Sequence, residues 1–264
     1  MRRRVVCGAV LALLSLLAMS VPALAVPSKP AIVRFQSNLQ WLLRNALVGG
    51  PADLSFNYGN TASGDSPLFG DWNGDGTKTP GVRRANLFLL RNTNSGGAAQ
   101  IGFGYGTAAD IGIAGDWDGD GTDTVGVIRF RADGGLQWLL RNSNTSGGAN
   151  ITLNYGRGET DFPVVGDWDG DGTDTVGVVR LRGDGALQWL LRNTNTSGAA
   201  NLSAVYGAAP DFPVAGDWDD DGTDTVGVVR GRRWLLRNSN TPGAATLGFT
   251  YGAGTDNEFP LIWR

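Results

Sequence analysis

Four short loops carry the residues of this sequence that are best suited to chemistry, because oxygen-bearing side chains recur in them at alternate positions. Glycine follows at the sixth position, where it permits a sharp turn, and this pattern suits Ca²⁺, which takes about six to eight oxygen ligands. The backbone carbonyl of the seventh residue, a threonine in every loop, supplies one more oxygen. The predicted calcium ligands are Asp71, Asn73, Asp75 and Thr77; Asp116, Asp118, Asp120 and Thr122; Asp167, Asp169, Asp171 and Thr173; and Asp217, Asp219, Asp221 and Thr223.

The alternative interpretation of these loops is a solvated acidic turn that binds no ion. Carboxylates that are crowded together without a cation repel one another, which raises the free energy of the folded chain. Four copies in the same register are harder to explain as turns than one copy would be. The sequence therefore favours calcium-binding loops.

Residues that the chain lacks exclude several kinds of active site. The sequence contains no histidine, and its single cysteine, Cys7, lies in an N-terminal segment that we expect to be removed. Ser-His-Asp triads, cysteine nucleophiles, histidine metal ligands and disulfide bonds are therefore excluded from the mature chain.

That N-terminal segment has the three-part pattern of a secretory signal peptide: Arg2–Arg4, an apolar run over Val5–Val21, and a small-residue cleavage site at Ala23–Ala25. The apolar run is shorter than the roughly 20 residues of a membrane span. We therefore expect residues 1–25 to be removed, residues 26–30 to form a short linker, and the mature protein to be secreted without a membrane span. Without the three leader arginines the chain has 19 basic and 25 acidic residues, which argues against nucleic-acid binding.

Internal repeats organise the rest of the chain. Leu-Leu-Arg-Asn occurs five times at spacings of 45 to 51 residues, Tyr-Gly follows each copy, and Gly-Asp-Trp occurs four times. The first string begins at Leu42, Leu89, Leu139, Leu190 and Leu235. Periods of about 40–50 residues are typical of repeat architectures, and the 41 glycines favour turns over long helices.

Each unit is predicted to contain four short strands, which indicates a β-propeller; the alternative is an open solenoid with polar capping repeats. The chain begins at Ala31 with a second strand that has no first, and it ends with a first strand, Glu258–Trp263, that has no second. The sequence therefore predicts an all-β protein, a single five-bladed β-propeller of four-stranded blades whose C-terminal strand completes the first blade. Its units are 31–58, 65–105, 110–155, 161–206 and 211–251, followed by the closing strand at 258–264.

The loops and their neighbouring strands resemble the FG-GAP/VCBS class of repeats, the blades of the integrin α-subunit propeller and of related secreted proteins. The resemblance covers the chain from Ala31 onward and implies that each loop binds calcium between the first and second strands of a blade. In that family the last ligand is an acid at the ninth loop position, where this chain has threonine: Thr79, Thr124, Thr175 and Thr225. The nearest acids stand one position earlier, at Asp123, Asp174 and Asp224, with Lys78 in the second unit. We take these three aspartates as candidate ligands and expect the second unit's loop to bind most weakly.

Repeated aromatic residues invite a lectin interpretation, but packing between blades explains them more simply. One series recurs in the third strand (Trp41, Phe88, Trp138, Trp189 and Trp234), and another at the second loop position (Trp72, Trp117, Trp168 and Trp218). Trp263 belongs to neither series, and we expect it to be exposed.

Two binding functions and one catalytic function are compatible with such a ring. A glycan-binding module would use pockets between neighbouring blades, as some members of the resembled family do, and a protein-adhesion or scaffold module would match the integrin resemblance. A glycoside hydrolase needs a pair of unique carboxylates, but nearly every acid here stands at a repeated position; the main exceptions are Asp53, Asp133, Glu159, Asp184 and Asp256. The sequence favours an extracellular, monomeric, non-catalytic module for a glycan, with a protein ligand as the alternative.

The turns between the second and third strands vary most in length, so we expect the ligand on the face opposite the acidic loops. On that face an acid precedes every first strand and an arginine ends every second strand. We predict one acid–arginine pair per blade, diagonally placed with Phe162 opposite Arg180, and worth about 0–1 kcal/mol because it is exposed. The alternative is that the ring of acids forms a second ligand site.

Overall fold

The computed structural model describes residues 27–264, so the predicted signal peptide (1–25) and the first linker residue lie outside the described residues. Twenty strands form five four-stranded antiparallel sheets, which confirms the all-β five-bladed propeller. Blade 1 contains β20 (Glu258–Trp263), β1 (Lys29–Phe35), β2 (Asn38–Leu43) and β3 (Leu54–Asn60). Blade 2 contains β4 (Ser66–Gly70), β5 (Thr79–Arg84), β6 (Leu87–Leu90) and β7 (Ile101–Gly104). Blade 3 contains β8 (Ile111–Gly115), β9 (Thr124–Phe130), β10 (Gly135–Leu140) and β11 (Ile151–Arg157).

Blades 4 and 5 repeat this order. Blade 4 contains β12 (Asp161–Gly166), β13 (Thr175–Leu181), β14 (Ala186–Leu191) and β15 (Leu202–Ala208). Blade 5 contains β16 (Phe212–Gly216), β17 (Thr225–Arg230), β18 (Arg233–Leu236) and β19 (Leu247–Thr250). The helical part of the described chain is a three-residue 3₁₀ turn, Thr61–Ser63, and no helix there could cross a membrane.

The closure of the ring follows the sequence prediction. Strand β20 pairs antiparallel with β1 over six residue pairs, including Ile32 with Pro260 and Val33 with Phe259. Strand β1 begins at Lys29, so two residues of the predicted linker belong to the blade. The first strands β4, β8, β12, β16 and β20 contact one another around the axis, which leaves no blade at an open end.

The core lies between neighbouring blades, because each sheet is covered on both faces. The central strands are rich in β-branched residues that pack well on a pleated surface, as in the segment TVGVVRL of β13, which is buried over its first five residues. Trp138 of blade 3 is fully buried and packs in one cluster with Val176 and Val178 of blade 4. Its indole N–H donates to the carbonyl of Tyr155, so burial leaves that donor satisfied. The third-strand aromatic residues are thus packing residues, as predicted.

Every blade contains the predicted ion pair. The distances between carboxylate and guanidinium are 2.6 to 2.9 Å in the pairs Glu258–Arg34, Asp65–Arg84, Asp110–Arg129, Asp161–Arg180 and Asp211–Arg230. Two details of the prediction were wrong. Asp161 lies directly opposite Arg180, because Gly166 pairs with Thr175 and not with Val176. The acid side chains are at most 3% exposed, so these pairs are half-buried and not surface pairs.

Candidate cation loops and the central channel

The four acidic loops connect the first and second strands of blades 2 to 5, on one face of the ring. The first aspartate organises each loop. The carboxylate of Asp116 accepts backbone N–H groups from Gly119, Asp120 and Gly121 at 2.8 to 3.1 Å. Asp120, at the fifth position, accepts the N–H of Thr122 at 2.8 Å. This network curls the backbone around the side chains, and Asp167 makes the same three contacts in blade 4.

The curl brings the predicted ligands together in three of the loops. One carboxylate oxygen from each of the first, third and fifth positions lies within 4.8 Å of the others in the groups Asp116, Asp118 and Asp120; Asp167, Asp169 and Asp171; and Asp217, Asp219 and Asp221. The sixth-position glycines have φ values of 84° to 90°, a conformation that favours glycine. The convergent oxygens match the hard, anionic donor set that Ca²⁺ prefers, so the residues present fit this ion.

The ionised form of the first aspartate is costly without a cation. Burial raises the pKa of Asp116 and of Asp167, and the neighbouring carboxylates of Asp120 and Asp171 raise it further, although backbone N–H donors oppose the change. A divalent cation would reverse the balance by stabilising the ionised carboxylates.

Two of the loops contain a group that stabilises their carboxylates, an uncharged amide in blade 2 and a guanidinium in blade 5. In blade 2 the amide of Asn73 donates to Asp75 at 2.9 Å, and this hydrogen bond lowers the pKa of Asp75. In blade 5 the guanidinium of Arg264 lies 2.9 Å from the carboxylate of Asp217 and 3.9 Å from that of Asp220. Blades 3 and 4 therefore have the least compensated loops.

The seventh and eighth loop residues face the preceding blade. The eighth-position carboxylates accept the N–H of the first aspartate one blade earlier: Asp123 from Asp71, Asp174 from Asp116 and Asp224 from Asp167, at 2.7 to 3.1 Å. The threonine hydroxyls of Thr122, Thr173 and Thr223 lie against Gly74, Gly119 and Gly170 of the preceding loops. The structure thus separates Asp123, Asp174 and Asp224 from the carboxylate groups of their own loops and makes them contacts between blades.

The ninth-position threonine has a structural role that an acid could not fill. It is the first residue of the second strand, and the hydroxyl of Thr175 donates to the carbonyls of Gly166 and Arg192 at 3.3 and 2.7 Å. Thr79 and Thr225 make the equivalent pair of contacts. Strand pairing begins at this residue: Gly166 pairs with Thr175, whereas the sequence predicted a pair with Val176, so the loop between the two strands is one residue shorter than predicted.

The loop tryptophans are buried, as predicted, but the expectation for Trp263 was wrong. Trp72 is 3% exposed and its ring lies over Gly70, where a Cβ atom would come within 2.5 Å of it. Trp263 takes the strand position of these glycines and is 8% exposed. Its indole N–H donates to the carbonyl of Arg44 at 3.2 Å, and its ring packs in the core cluster that contains Ala31 and Leu43 instead of facing solvent.

A central channel of about 1160 Å³ runs along the axis between the first strands of the five blades. Its walls are apolar, with one half-buried or buried residue from each blade at the same height: Phe69, Ala114, Val165, Ala215 and Ile262. Its mouth, on the face opposite the acidic loops, is lined by the equivalent residues Ser66, Ile111, Phe162, Phe212 and Phe259. The sequence did not reveal the lining of this channel, because the repeats show which positions are equivalent but not which of them face the axis.

The eighth-position residues form the floor of the channel. Asp123, Asp174 and Asp224 share it with Lys78, whose ammonium lies 3.3 Å from Asp123. Burial lowers the pKa of Lys78, but the three carboxylates outweigh this effect and raise it. Burial raises the pKa of Asp174 to about 7 and that of Asp224 to about 6, although Lys78 opposes both changes. The three acidic groups of the floor thus outnumber the two cations at this end of the channel, Lys78 and Arg264, but Asp174 and Asp224 ionise less readily than exposed carboxyl groups do.

One buried arginine between blades 2 and 3 was also missed. Arg83 is 6% exposed and donates to the backbone carbonyls of Asp110 and Thr107, where the other blades have an aliphatic residue. Its side chain crosses Gly112, at which a Cβ atom would lie 2.5 Å from the arginine Cδ. Gly112 replaces the proline of the other first strands, and this paired departure from the repeat is the signal that could have revealed the contact.

The unique acids do not form a catalytic pair among the described residues. Asp53 pairs with Arg44 at 2.7 Å, and Asp133 and Asp184 pair with the arginines two residues before them. Glu159 and Asp256 are exposed. The acids that precede the first strands are held by arginine, which argues against a second ligand site at that ring.

A second cavity, of about 380 Å³, lies in the groove between blades 1 and 2. Polar groups from both blades line it, including Asn38, Asn57 and the Asp65–Arg84 pair. Tyr58 contributes an aromatic side chain. Equivalent grooves in the other blades have different neighbours; in blade 3, for example, Asn154 accepts a hydrogen bond from Arg131 at 3.0 Å.

Comparison of the chain with protein-family models, curated proteins and solved structures found no match.

Proposed function

We propose that this protein is a secreted, non-catalytic, calcium-binding β-propeller of the FG-GAP/VCBS type that acts as a binding module for glycans. The observation that carries the proposal is the convergence of three carboxylates within 4.8 Å in three successive blades. Asp116, Asp118 and Asp120 would hold Ca²⁺ in blade 3, and Asp167, Asp169 and Asp171 in blade 4. When bound, the ion supplies the positive charge that compensates these carboxylates and so stabilises the loop face of the ring.

Calcium binding is tested by thermal unfolding in calcium and in chelator. Binding to the folded state stabilises it by about 2.7 kcal/mol per site at a hundredfold excess of ion over Kd, so the melting temperature is expected to fall clearly in EDTA. Asp118→Asn and Asp169→Asn are expected to reduce the stabilisation, because both side chains are exposed and each belongs to one of the convergent carboxylate groups. Glu159→Gln, at an exposed acid outside the loops, is the matched control. An equal melting temperature with and without calcium would contradict the proposal.

The ligand class is supported by the groove between blades 1 and 2. Amide, guanidinium and carboxylate groups there can exchange hydrogen bonds with sugar hydroxyls. The volume of about 380 Å³ is at the lower end of known ligand pockets, which suits one or two sugar rings.

A glycan array probed with and without calcium tests this ligand class. Selective hits are expected, and they should be lost with Asn57→Ala while Asn154→Ala, the equivalent change in blade 3, leaves them in place. An array without hits, or hits that Asn57→Ala does not affect, would contradict glycan binding in this groove.

The alternative candidate is a protein-adhesion module, and one observation favours it. The face opposite the acidic loops exposes Phe130 at 53% and Leu181 at 49%, and exposed apolar side chains rimmed by charged groups mark many protein interfaces. Loss of binding to a captured protein partner upon Phe130→Ala, together with a silent glycan array, would favour this alternative.

A further inference from the structure

The channel mouth is an aromatic surface that the folded chain leaves partly open. Phe162 packs edge-to-face on Phe212 with ring centroids 5.2 Å apart, and Phe212 packs in the same way on Phe259 at 4.9 Å. Phe162 is nevertheless 40% exposed, and Ile111 is 39% exposed beside it. Three phenylalanines on successive blades therefore present ring surface to the space above the channel, where an apolar ligand would remove it from water.

The walls below the mouth offer almost nothing to a polar ligand. Above the floor, the side chains that line the channel within the described residues are aliphatic, aromatic or proline, with three kinds of exception. These are Ser66 at the mouth, the carboxylates of Asp110 and Asp161, which are paired with arginine, and the guanidinium of Arg83, which is already bonded to backbone carbonyls. A sugar placed there would lose hydrogen bonds to water without replacing them. The occupant that fits the walls is an alkyl or aromatic group.

The floor selects the charge of that occupant. The carboxyl groups of Asp123, Asp174 and Asp224 converge there with the ammonium of Lys78, and the guanidinium of Arg264 lines the same end. Each of these three carboxyl groups is fixed in place because it accepts a backbone N–H of the neighbouring blade. Lys78 pairs with Asp123, and the guanidinium of Arg264 pairs with Asp217 at the same end of the channel. The carboxyl groups that line this end still outnumber its two cations, so that a cationic ligand meets net negative charge in a partly desolvated site.

We propose that the central channel binds a molecule with an apolar body and one cationic amine, with the body against the walls and the mouth phenylalanines and the amine facing Asp174 and Asp224. Charge complementarity at the floor and apolar contact along the walls act together on one ligand. This site is separate from the groove between blades 1 and 2, so failure of glycan binding would leave it unaffected.

Isothermal titration with three eight-carbon probes tests the proposal: octylammonium and octyl sulfate below their micelle concentrations, and 1-octanol below its solubility limit, all in saturating calcium. Octylammonium is expected to bind about tenfold more tightly than octanol, and octyl sulfate more weakly than either. Methylammonium, which lacks the apolar body, is expected to show no measurable binding. Equal affinity for the three octyl probes, or no binding of octylammonium, would overturn the proposal.

Variants with opposite expected effects separate binding from misfolding. Phe162→Ala combined with Phe212→Ala is expected to weaken octylammonium binding about tenfold. Lys78→Gln removes the internal competitor and is expected to tighten it severalfold, a gain that a damaged fold would not give. Leu87→Ala, at an exposed residue that does not line the channel, is the control. Binding that changes with Leu87→Ala, or that none of the channel variants alters, would contradict the assignment.

Discussion

At the scale of single residues, the loop in blade 5 differs from its three counterparts at its fourth position and in the neighbour that this position faces. Its fourth position is Asp220, with a φ of 65°, where the other loops have glycine with φ of 69° to 74°. In those loops a Cβ atom would lie 3.0 to 3.1 Å from the threonine hydroxyl of the next loop. The blade that follows blade 5 in the ring is blade 1, which has no acidic loop, so a side chain at position 220 has no threonine against it. The guanidinium of Arg264 instead lies 3.9 Å from the carboxylate of Asp220.

The backbone strain at Asp220 leads to a stability prediction. Asp220→Gly is expected to stabilise the protein by about 1 kcal/mol, because a residue with a Cβ atom is strained at positive φ. In a domain of this size that corresponds to a rise in melting temperature of about 2–4 °C. The reverse change in blade 4, Gly170→Asp, is expected to destabilise, since it adds the same strain and a close contact with Thr223. A melting temperature that falls in Asp220→Gly would show that the contact with Arg264 outweighs the strain.

At the scale of strands, the half-buried pair of Asp161 and Arg180 fixes the register of β12 against β13. Burial raises the pKa of Asp161, but hydrogen bonds from Arg180, from the Arg157 backbone and from Thr160 outweigh it, so that the pKa lies below its usual range. Asp161→Asn is expected to destabilise by about 1–3 kcal/mol at neutral pH, as for other hydrogen bonds to charged groups. Asp184→Asn, at a fully exposed pair with Arg182, is expected to have no measurable effect.

The pH dependence of this pair has a definite sign. Because the folded pKa is depressed, the stabilisation is present above the unfolded pKa of about 3.9 and is lost as the pH falls through the folded value. The difference in stability between wild type and Asp161→Asn is therefore expected to shrink below about pH 4, as measured by chemical denaturation. A difference that stays constant into that range would show that the effect is steric and not ionic.

The strand scale also shows what the sequence could predict. Five copies of the Leu-Leu-Arg-Asn and Tyr-Gly strings were enough to place the strands, the blades and the acid–arginine pairs, since these contacts lie within one repeat in every blade except blade 1. The register between β12 and β13 was missed by one residue, because the role of Thr175 as the first paired residue depends on its hydroxyl contacts in three dimensions. Asp174 was assigned to its own loop, because a single repeat does not reveal contacts with the preceding blade.

At the scale of the whole molecule, every junction between blades repeats one motif at the channel floor. The eighth-position residue of a loop donates its N–H to the carbonyl of the first loop residue one blade earlier, as Asp174 does to Asp116 at 2.7 Å. At the two junctions of blade 1, one partner comes from a chain end. The N–H of Ser28 donates to the carbonyl of Asp217 in blade 5, and the N–H of Lys78 in blade 2 donates to the carbonyl of Arg264. The same contacts therefore run around the whole ring, including the closure in blade 1, where no covalent connection joins β20 to β1.

This continuity predicts that the closing strand stabilises all five blades and not only blade 1. Deletion of residues 258–264 removes six pairs with β1, the buried Trp263 and the Glu258–Arg34 pair, and exposes the edge of β1. Loss of a buried tryptophan alone costs about 3–5 kcal/mol, so the melting temperature is expected to fall by about 6–20 °C in a single transition. A synthetic peptide of residues 258–264 should restore part of that loss, whereas a peptide with Trp263→Ala should restore less. Two separate transitions in the truncated chain, with one at the wild-type temperature, would instead show that the blades unfold independently and that closure serves blade 1 alone.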